Sequence, residues 1–438
     1  VIVLPTTTYR AGAFLAAARA LDVDVVVATD VPPALSAGAG VRTLVVPLDD
    51  PVAAAEAIVT LDRSTPVDAV IAVDDHGALT AAHAATRLGL VANRPDAVAA
   101  TRDKAEMRRR LAAAEVAQPR FVVLDRPGGP TGDDVLDATE VLGYPVVVKP
   151  VGLAGSRGVI RADDDLEAVA AFERIRRLLT TIPEERRTLV VESFVDGAEV
   201  AVEGILEEGE FRPLAIFDKP EPLDGPYFEE TYYVTPSRHP FGVQDAAVRV
   251  VGAAATALGL REGPVHGEVR IPPSGDAVLL EVAARTIGGR CAAAVRLADG
   301  VTLEEVVLRH ALGMPRAEGA RARDDVGSRR EGAPPGEVVG ASGVMMLPTA
   351  HTGTLVGVRG TAEALAVDGV VAVEITVPVG KRVSALPEGG RYLGFLFAEG
   401  ESPEAVEAAL RAGFAALEIA ITPEIDPELD ALDRAMVR

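Results

Sequence analysis

Over the first hundred residues, short apolar runs alternate with longer stretches patterned as helices. "VIVLP", "VDVVVATD", "TLVVPL" and "VDAVIAVDD" read as strands, whereas "YRAGAFLAAARAL", the segment from Asp50 to Asp62 and "GALTAAHAATRLG" read as helices. This alternation predicts a parallel sheet covered by helices. Ligands of such sheets sit beyond the carboxyl ends of the strands, which places Thr6, Thr7, Asp74, Asp75 and His76 near a cleft. Asp74 and Asp75 serve equally well as caps of the helix that follows them.

The texture becomes mixed from "TRDKAEMRRRLAAAEV" to about Gly313. Thr101 is the expected N-cap there, putting Lys104, Arg108 and Leu111 on neighbouring turns. "TLEEVVLRHALG" closes the region with a capping box, Thr302 to Glu305, and Gly313 as the stop. "MPRAEGARARDDVGSRREGAPPGE" reads as a linker or long loop. Four strand-like runs follow, "GVMMLP", "GTLVGVRG", "VVAVEITVPVG" and "YLGFLFAEG", and then a final helix with Ser402 as N-cap and Pro403 at its first position. The expected division is an α/β domain at 1–98, a mixed α+β core at 99–315 with a subdomain at about 120–195, a linker at 316–340, and a β-rich unit at 341–438.

A chain of 438 residues holds about three domains' worth of core. Its apolar residues, 48% of the total, are too interrupted for a membrane span. No basic flank or small-residue cleavage site accompanies the opening "VIVLP", so no signal peptide is expected. With the lone Cys291 this points to a reducing cytoplasm. A net charge of -22 argues against nucleic acid as a partner.

Candidate chemistry begins at "YPVVVKPVGLAGSRGVIRADD", residues 144–164. A Walker loop has its lysine after the glycines and a helix next; here Lys149 comes first and a strand follows. A dinucleotide fingerprint fails for the same reason, since GxGxxG opens a helix. The remaining reading is a hairpin whose loop, with Gly152, Gly155, Ser156 and Gly158, lets backbone N–H groups approach phosphate oxygens. An ordinary surface hairpin is the alternative. "TLVVESFVDGAEVAVEG" then places Glu192 at a strand end and Glu199 with Glu203 on one strand face. "VHGEVRIPPSGDAVLLEVAARTIGGR" places Glu268 and Glu281 on two strands joined by a turn, so that two carboxylates converge on a hard cation. Arg285, Gly288 and Gly289 follow, and suit recognition of another anion. His266 shares the face of Glu268 and is the histidine expected to touch substrate. Residues 217–240, with Lys219, Glu229, Glu230, Ser237 and Arg238 among aromatics, are expected to form part of an acceptor pocket.

Together "RDKAEMR", "VVVKP" with its glycine loop, "VESFVDGAEV", and "HGEVRI" followed by "LLEVAARTIGG" resemble the ATP-grasp superfamily, and within it carboxylate-amine ligases of the L-amino-acid ligase type. The resemblance implies an ATP-grasp fold with an N-terminal pre-ATP-grasp domain and a C-terminal subdomain completing the module. It also implies Lys104 and Lys149 on the ATP phosphates under the loop, Glu192 and Val195 at the adenine hinge, and Glu199 on the ribose. Glu268 and Glu281 match magnesium ligands, for which manganese can substitute, and Arg285 matches the arginine that holds the transferred phosphate. One position departs: where the family often has an asparagine as a further metal ligand, this chain has Ala283.

The activity implied is ATP-dependent joining of a small carboxylate to an amine through an acyl phosphate, with Lys149, Glu281 and Arg285 in the catalytic roles. Use of formate or bicarbonate as the acid, and a nucleotide-binding regulator without turnover, are the alternatives. A homodimer is the expected assembly.

Overall fold

The structure, a computed structural model, describes residues 1–6, 8–31, 42–182, 187–295, 297, 300–316, 340–424 and 426–436. Thr7 and nearly all of the expected 316–340 linker lie outside the described residues.

The strand–helix alternation at the N-terminus builds a four-stranded parallel sheet in the order Arg42–Val45, Val26–Thr29, Ile2–Val3, Ile71–Ala72. Helix Pro51–Asp62, expected from Asp50 to Asp62, has Asp50 as its N-cap and proline at its first position. Helix Asp75–Leu88 is capped by Asp74, whose carboxylate accepts from the backbone N–H of His76 and Gly77, and ends at Gly89 in the left-handed region. Asp74 is therefore the cap, and Asp75, one residue inside the helix, is left to point elsewhere.

The expected cap at Thr101 is displaced by two residues. A separate short helix, Pro95–Thr101, comes first, and the Thr101 hydroxyl donates back to Val98 O within it. Asp103 caps the next helix, Lys104–Ala113, accepting from Ala105 and Glu106. That helix begins on Lys104, which fixes the lysine at its buried end.

A four-stranded antiparallel sheet, in the order Phe121–Leu124, Leu189–Ser193, Val146–Pro150, Ile160–Ala162, forms the small layer that carries the glycine loop. The hairpin read from the sequence is present: Val146–Pro150 and Ile160–Ala162 pair directly. Helices Gly132–Leu142 and Asp165–Thr180 cover one face, burying Val135, Phe172, Ile175 and Leu178 against Val146, Val148, Ile160 and Val191.

The largest sheet has eight strands, and its first four are Val278–Ala283, Gly263–Ile271, Ala198–Glu207 and Glu210–Lys219. Tyr232–Thr235 then joins them to Ala341–Leu347, Gly394–Gly400 and Val370–Ile375. The C-terminal unit thus continues the central sheet instead of only packing on it, because the four-residue strand Tyr232–Thr235 bridges the two halves. Gly353–Arg359 departs to a second, three-stranded sheet with Arg382–Val383 and Glu418–Pro423. The helix at Pro403–Ala415 has the Ser402 cap but is not the last element: Glu418–Pro423 and helix Pro427–Met436 come after it.

Helix Phe241–Leu258 lies across the back of the central sheet and buries Val251, Ala254, Ala255 and Leu258 against Val200, Val202, Val265, Val269 and Leu279. Each buried valine or leucine among them contributes on the order of 2 kcal/mol by leaving water, and each alanine less. The helix approaches so closely at Gly267 that a Cβ there would stand 2.5 Å from Val251 Cγ2. His266 and Glu268, flanking that glycine, point away from the helix toward the opposite face. Among the described residues no helix is long and apolar enough to cross a membrane.

Candidate active site

On that opposite face the sheet floors a cavity of about 440 Å³, roofed by the glycine loop and closed at one end by the N-terminal domain. Of the residues singled out by sequence, Asp74, Asp75, His76, Lys104, Lys149, Gly155, Ser156, Glu192, Val195, Glu199, Glu230, His266, Glu268, Glu281, Arg285, Gly288 and Gly289 line it.

The loop lies over the cavity through its backbone conformation. Gly155, Ser156 and Gly158 have φ of 65°, 56° and 68°, a left-handed succession that L residues adopt only at a cost of about 1–2 kcal/mol each. Glycine removes the cost at two of the three positions, and Ser156 bears it at the third. Gly155 and Ser156 line the cavity. Gly152 is exposed and Gly158 lies beneath the loop, where its N–H donates to Pro387 O at 2.9 Å. Arg157 Nε donates to Glu388 O, so the C-terminal unit holds the loop from outside.

Three cations converge from different elements. Lys104 Nζ donates to Leu153 O at 2.7 Å and lies 3.4 Å from Glu281 Oε1. Lys149, on the strand before the loop, is 2.7 Å from Glu192. Arg285 reaches back to the N-terminal domain, with Nε 2.9 Å from Asp75 Oδ2. Lys149, Lys104 and Arg285 line one space with Glu268 and Glu281.

The Glu192 side chain is engaged within the protein. It is 1% exposed, and its two oxygens accept from Arg108 Nε and Lys149 Nζ, each at 2.7 Å. Burial alone would raise its pKa, but Arg108 and then Lys149 overcome this and hold it down to about 2. The carboxylate is thus consumed within the wall, and Ser193, Phe194 and Val195 line the cavity beside it. Arg108, 2% exposed, also donates to Leu280 O and so ties the hinge to the strand bearing Glu281. The sequence signal for Arg108 was its place four residues after Lys104 on one helix face.

Lys219 and Arg238 also depart from expectation. The Lys219 side chain is 2% exposed, and its ammonium sits between Glu199 at 2.6 Å, Glu230, and Glu268 at 3.3 Å. It is a buried counter-ion for three carboxylates, out of reach of a substrate. Arg238 pairs with Asp218 and Glu407 and lines a separate hollow behind the sheet, because the chain turns away from the cavity after Thr235. Glu230 lines the cavity, and burial followed by the charge of Glu268 raises its pKa. Glu199 also lines it, with Lys219 on one oxygen and Arg270 Nε on the other at 2.9 Å.

Glu268 and Glu281 occupy directly paired positions on adjacent strands, as the turn between them predicts. His266 is wedged beside them, with Nδ1 2.6 Å from Glu203 and Nε2 3.4 Å from Glu268. Burial would lower its pKa, but the bonds to these carboxylates raise it to about 9, so the ring is an imidazolium at neutral pH. Two facing carboxylates offer oxygen donors suited to a hard divalent cation. Ala283, paired with His266 across the strands, adds only a methyl group, and among the described residues the carboxylates whose oxygens lie within 4.8 Å of one another are those of Glu199, Glu230 and Glu268. Gly288 and Gly289 line the far end with Met346, Tyr233 and Tyr392, an apolar and aromatic wall that sequence spacing did not reveal.

Comparison with known proteins finds an ATP-grasp domain over residues 142–294, an ATP-grasp N-terminal domain over 15–90 and an L-amino acid ligase C-terminal domain 2 over 345–422. The chain is 28% identical over 276 residues to the alanine–anticapsin ligase of Bacillus subtilis, a match covering 58% of this chain and 56% of the relative. It is 32% identical over 148 residues to dapdiamide A synthase of Enterobacter agglomerans, covering 33% of this chain and 34% of that one. The match therefore spans little more than half the length of the first of these relatives. The crystal structure of an L-amino acid ligase from Bacillus licheniformis superposes with a TM-score of 0.76 at 26% identity, covering 96% of this chain and 98% of that one. A carboxyaminoimidazole ribonucleotide synthase from Aspergillus clavatus in complex with ATP shares the fold at a TM-score of 0.68 and 17% identity, covering 99% and 98%. The fold is ATP-grasp.

Proposed function

We propose that this ATP-grasp protein is an ATP-dependent ligase that joins the carboxylate of one small molecule to the amine of another, releasing ADP and phosphate. The observation that carries the reading is the convergence of Lys104, Lys149 and Arg285 with Glu268 and Glu281 on one cavity that Gly155 and Ser156 of the glycine loop also line. Phosphoryl transfer asks a protein mainly for positioning and charge neutralisation, and this constellation is built for both.

In the first step a carboxylate oxygen of the acid attacks the γ-phosphorus of ATP, the bond to the bridging oxygen breaks, and ADP leaves. In the second step the amine nitrogen attacks the carbonyl carbon, the C–O bond to phosphate breaks, and the amine gives up a proton. Lys149 and the N–H groups at Gly155 and Ser156 would hold the phosphates. Lys104 and Arg285 would take the charge on the transferred group. Glu268 and Glu281 would hold a magnesium ion, which when bound neutralises phosphate oxygens. The loop excludes water that would otherwise hydrolyse the acyl phosphate. The adenine would meet the backbone at the hinge near Val195, with Glu199 toward the ribose.

The relatives are named for ligation of amino acids, which favours amino acids or their analogues as both acid and amine. The test is ADP release with ATP and magnesium against paired amino acids, with formate and bicarbonate as competing acids, followed by mass spectrometry. A product whose mass is acid plus amine minus water supports the reading. ADP formed only with formate or bicarbonate, or ATP bound without ADP formed for any pair, would overturn it.

A further inference from the structure

Arg285 owes its orientation to the N-terminal domain. Its Nε donates to Asp75 Oδ2 at 2.9 Å, and its Nη1 to the neighbouring Thr286 O at 3.0 Å. Among the described residues nothing accepts from Nη2, the remaining edge of a guanidinium that lines the cavity. The next residue is held too. Arg10, 5% exposed, donates from Nη1 to Val73 O and Thr286 O, and from Nη2 to Thr286 Oγ1. Two side chains of the first domain therefore grip two successive residues of the Arg285 loop.

The grip starts from a capped helix packed on the first strand. Asp75 occupies the first turn of the helix capped by Asp74, where the helix dipole favours its charge. Two residues on, Gly77 lets that helix lie against the first strand; a Cβ there would stand 2.9 Å from Val3 Cγ1. Burial opposes ionisation of Asp75, but Arg285 outweighs it and keeps the carboxylate charged.

We propose that Asp75 is a positioning residue: it fixes one edge of the Arg285 guanidinium so that the other meets the phosphoryl group in flight, with Arg10 holding the loop beneath. The inference rests on the ligase reading for its chemistry, since Arg285 needs an anion to serve. On this account the N-terminal domain completes the catalytic site, and Asp75 touches neither nucleotide nor acid.

The test is a double-mutant cycle on Asp75→Asn and Arg285→Gln, read by kcat, by the KM for ATP, and by calorimetric affinity for ADP and for ADP with fluoroaluminate. Asp75→Asn is expected to lower kcat by about tenfold or more and to weaken fluoroaluminate binding. The ADP affinity and the KM for ATP should stay within about twofold, and Asp75→Glu should recover part of the loss. The double variant should be no worse than Arg285→Gln alone. Losses that multiply, an unchanged kcat and fluoroaluminate affinity, or a rise only in the KM for the acid would overturn the proposal, the last by making Asp75 a substrate-binding group. If the wild type ligates nothing, the ligase reading fails, and the cycle is decided on fluoroaluminate affinity alone. Thr286→Val removes the hydroxyl that Arg10 grips without touching either charge. If Asp75→Asn does not fold, Thr286→Val decides the question by the same affinities: weaker fluoroaluminate binding with ADP affinity retained supports the positioning role, and no change overturns it.

Discussion

Replacing Glu192 with glutamine tests whether the hinge is held by charge. Its carboxylate accepts from Arg108 and Lys149, both at 2.7 Å, in a setting where water does not screen them. The fall from the ordinary glutamate value of 4.5 to about 2 corresponds, at about 1.4 kcal/mol per pH unit, to about 3 kcal/mol of stability. The sign follows from a folded pKa below the unfolded one: the contribution is full above pH 4.5 and is lost as the pH falls toward 2. Glutamine keeps the shape but leaves two buried cations without a counter-charge, a defect of about 3–5 kcal/mol. Urea unfolding of wild type and Glu192→Gln, followed by fluorescence of the tyrosines at several pH values, measures the difference. A gap of about 3 kcal/mol at pH 7 should narrow steadily below pH 4.5 as the wild-type carboxylate takes up its proton. A gap that stays constant with pH, or one below about 1 kcal/mol at pH 7, would refute the electrostatic account.

Glu281→Gln removes one of the two facing carboxylates; ADP formation should fall on the order of a hundredfold or more, and manganese titrated by electron paramagnetic resonance should bind more weakly, with the unfolding midpoint unchanged. Arg238→Ala should leave turnover within about twofold but cost about 1–3 kcal/mol of stability, because it leaves the buried Asp218 carboxylate without its guanidinium partner; a large loss of activity would return Arg238 to the site. Gly267→Ala forces a methyl against Val251 and should cost about 1–3 kcal/mol in denaturant unfolding, with turnover reduced because His266 and Glu268 move with the strand. Full stability in that variant would show that the helix can withdraw freely.

Much of the fold was legible because its elements are long enough to show their period. The N-terminal alternation, the Ser402 cap and the capping box at Thr302 all announce themselves locally. What escaped was short or terminal. Tyr232–Thr235 has four residues, all buried, so it shows no alternation, yet it joins the C-terminal strands to the central sheet. Thr101 has a capping residue's chemistry but ends a helix that Pro95 begins, and Asp103 caps the next.

The site divides along the same line. Residue types that chemistry demands in order, a lysine before a glycine loop and glutamates on adjacent strands, can be recognised singly, and the structure brings most of them to one cavity. Their charge partners cannot be recognised so: Arg108 meets Glu192 from 84 residues away, Asp75 meets Arg285 from 210, and Arg10 meets Thr286 from 276. Nothing in local sequence separates a glutamate that binds a ligand from one that neutralises a neighbour. Yet that distinction sets the charge of the cavity. With Glu192 matched to Arg108 and Lys149, and with Glu199, Glu230 and Glu268 sharing Lys219, much of the acidic charge around the site is already compensated within the walls. That partial compensation lets a chain of net charge -22 line one cavity with Lys104, Lys149 and Arg285.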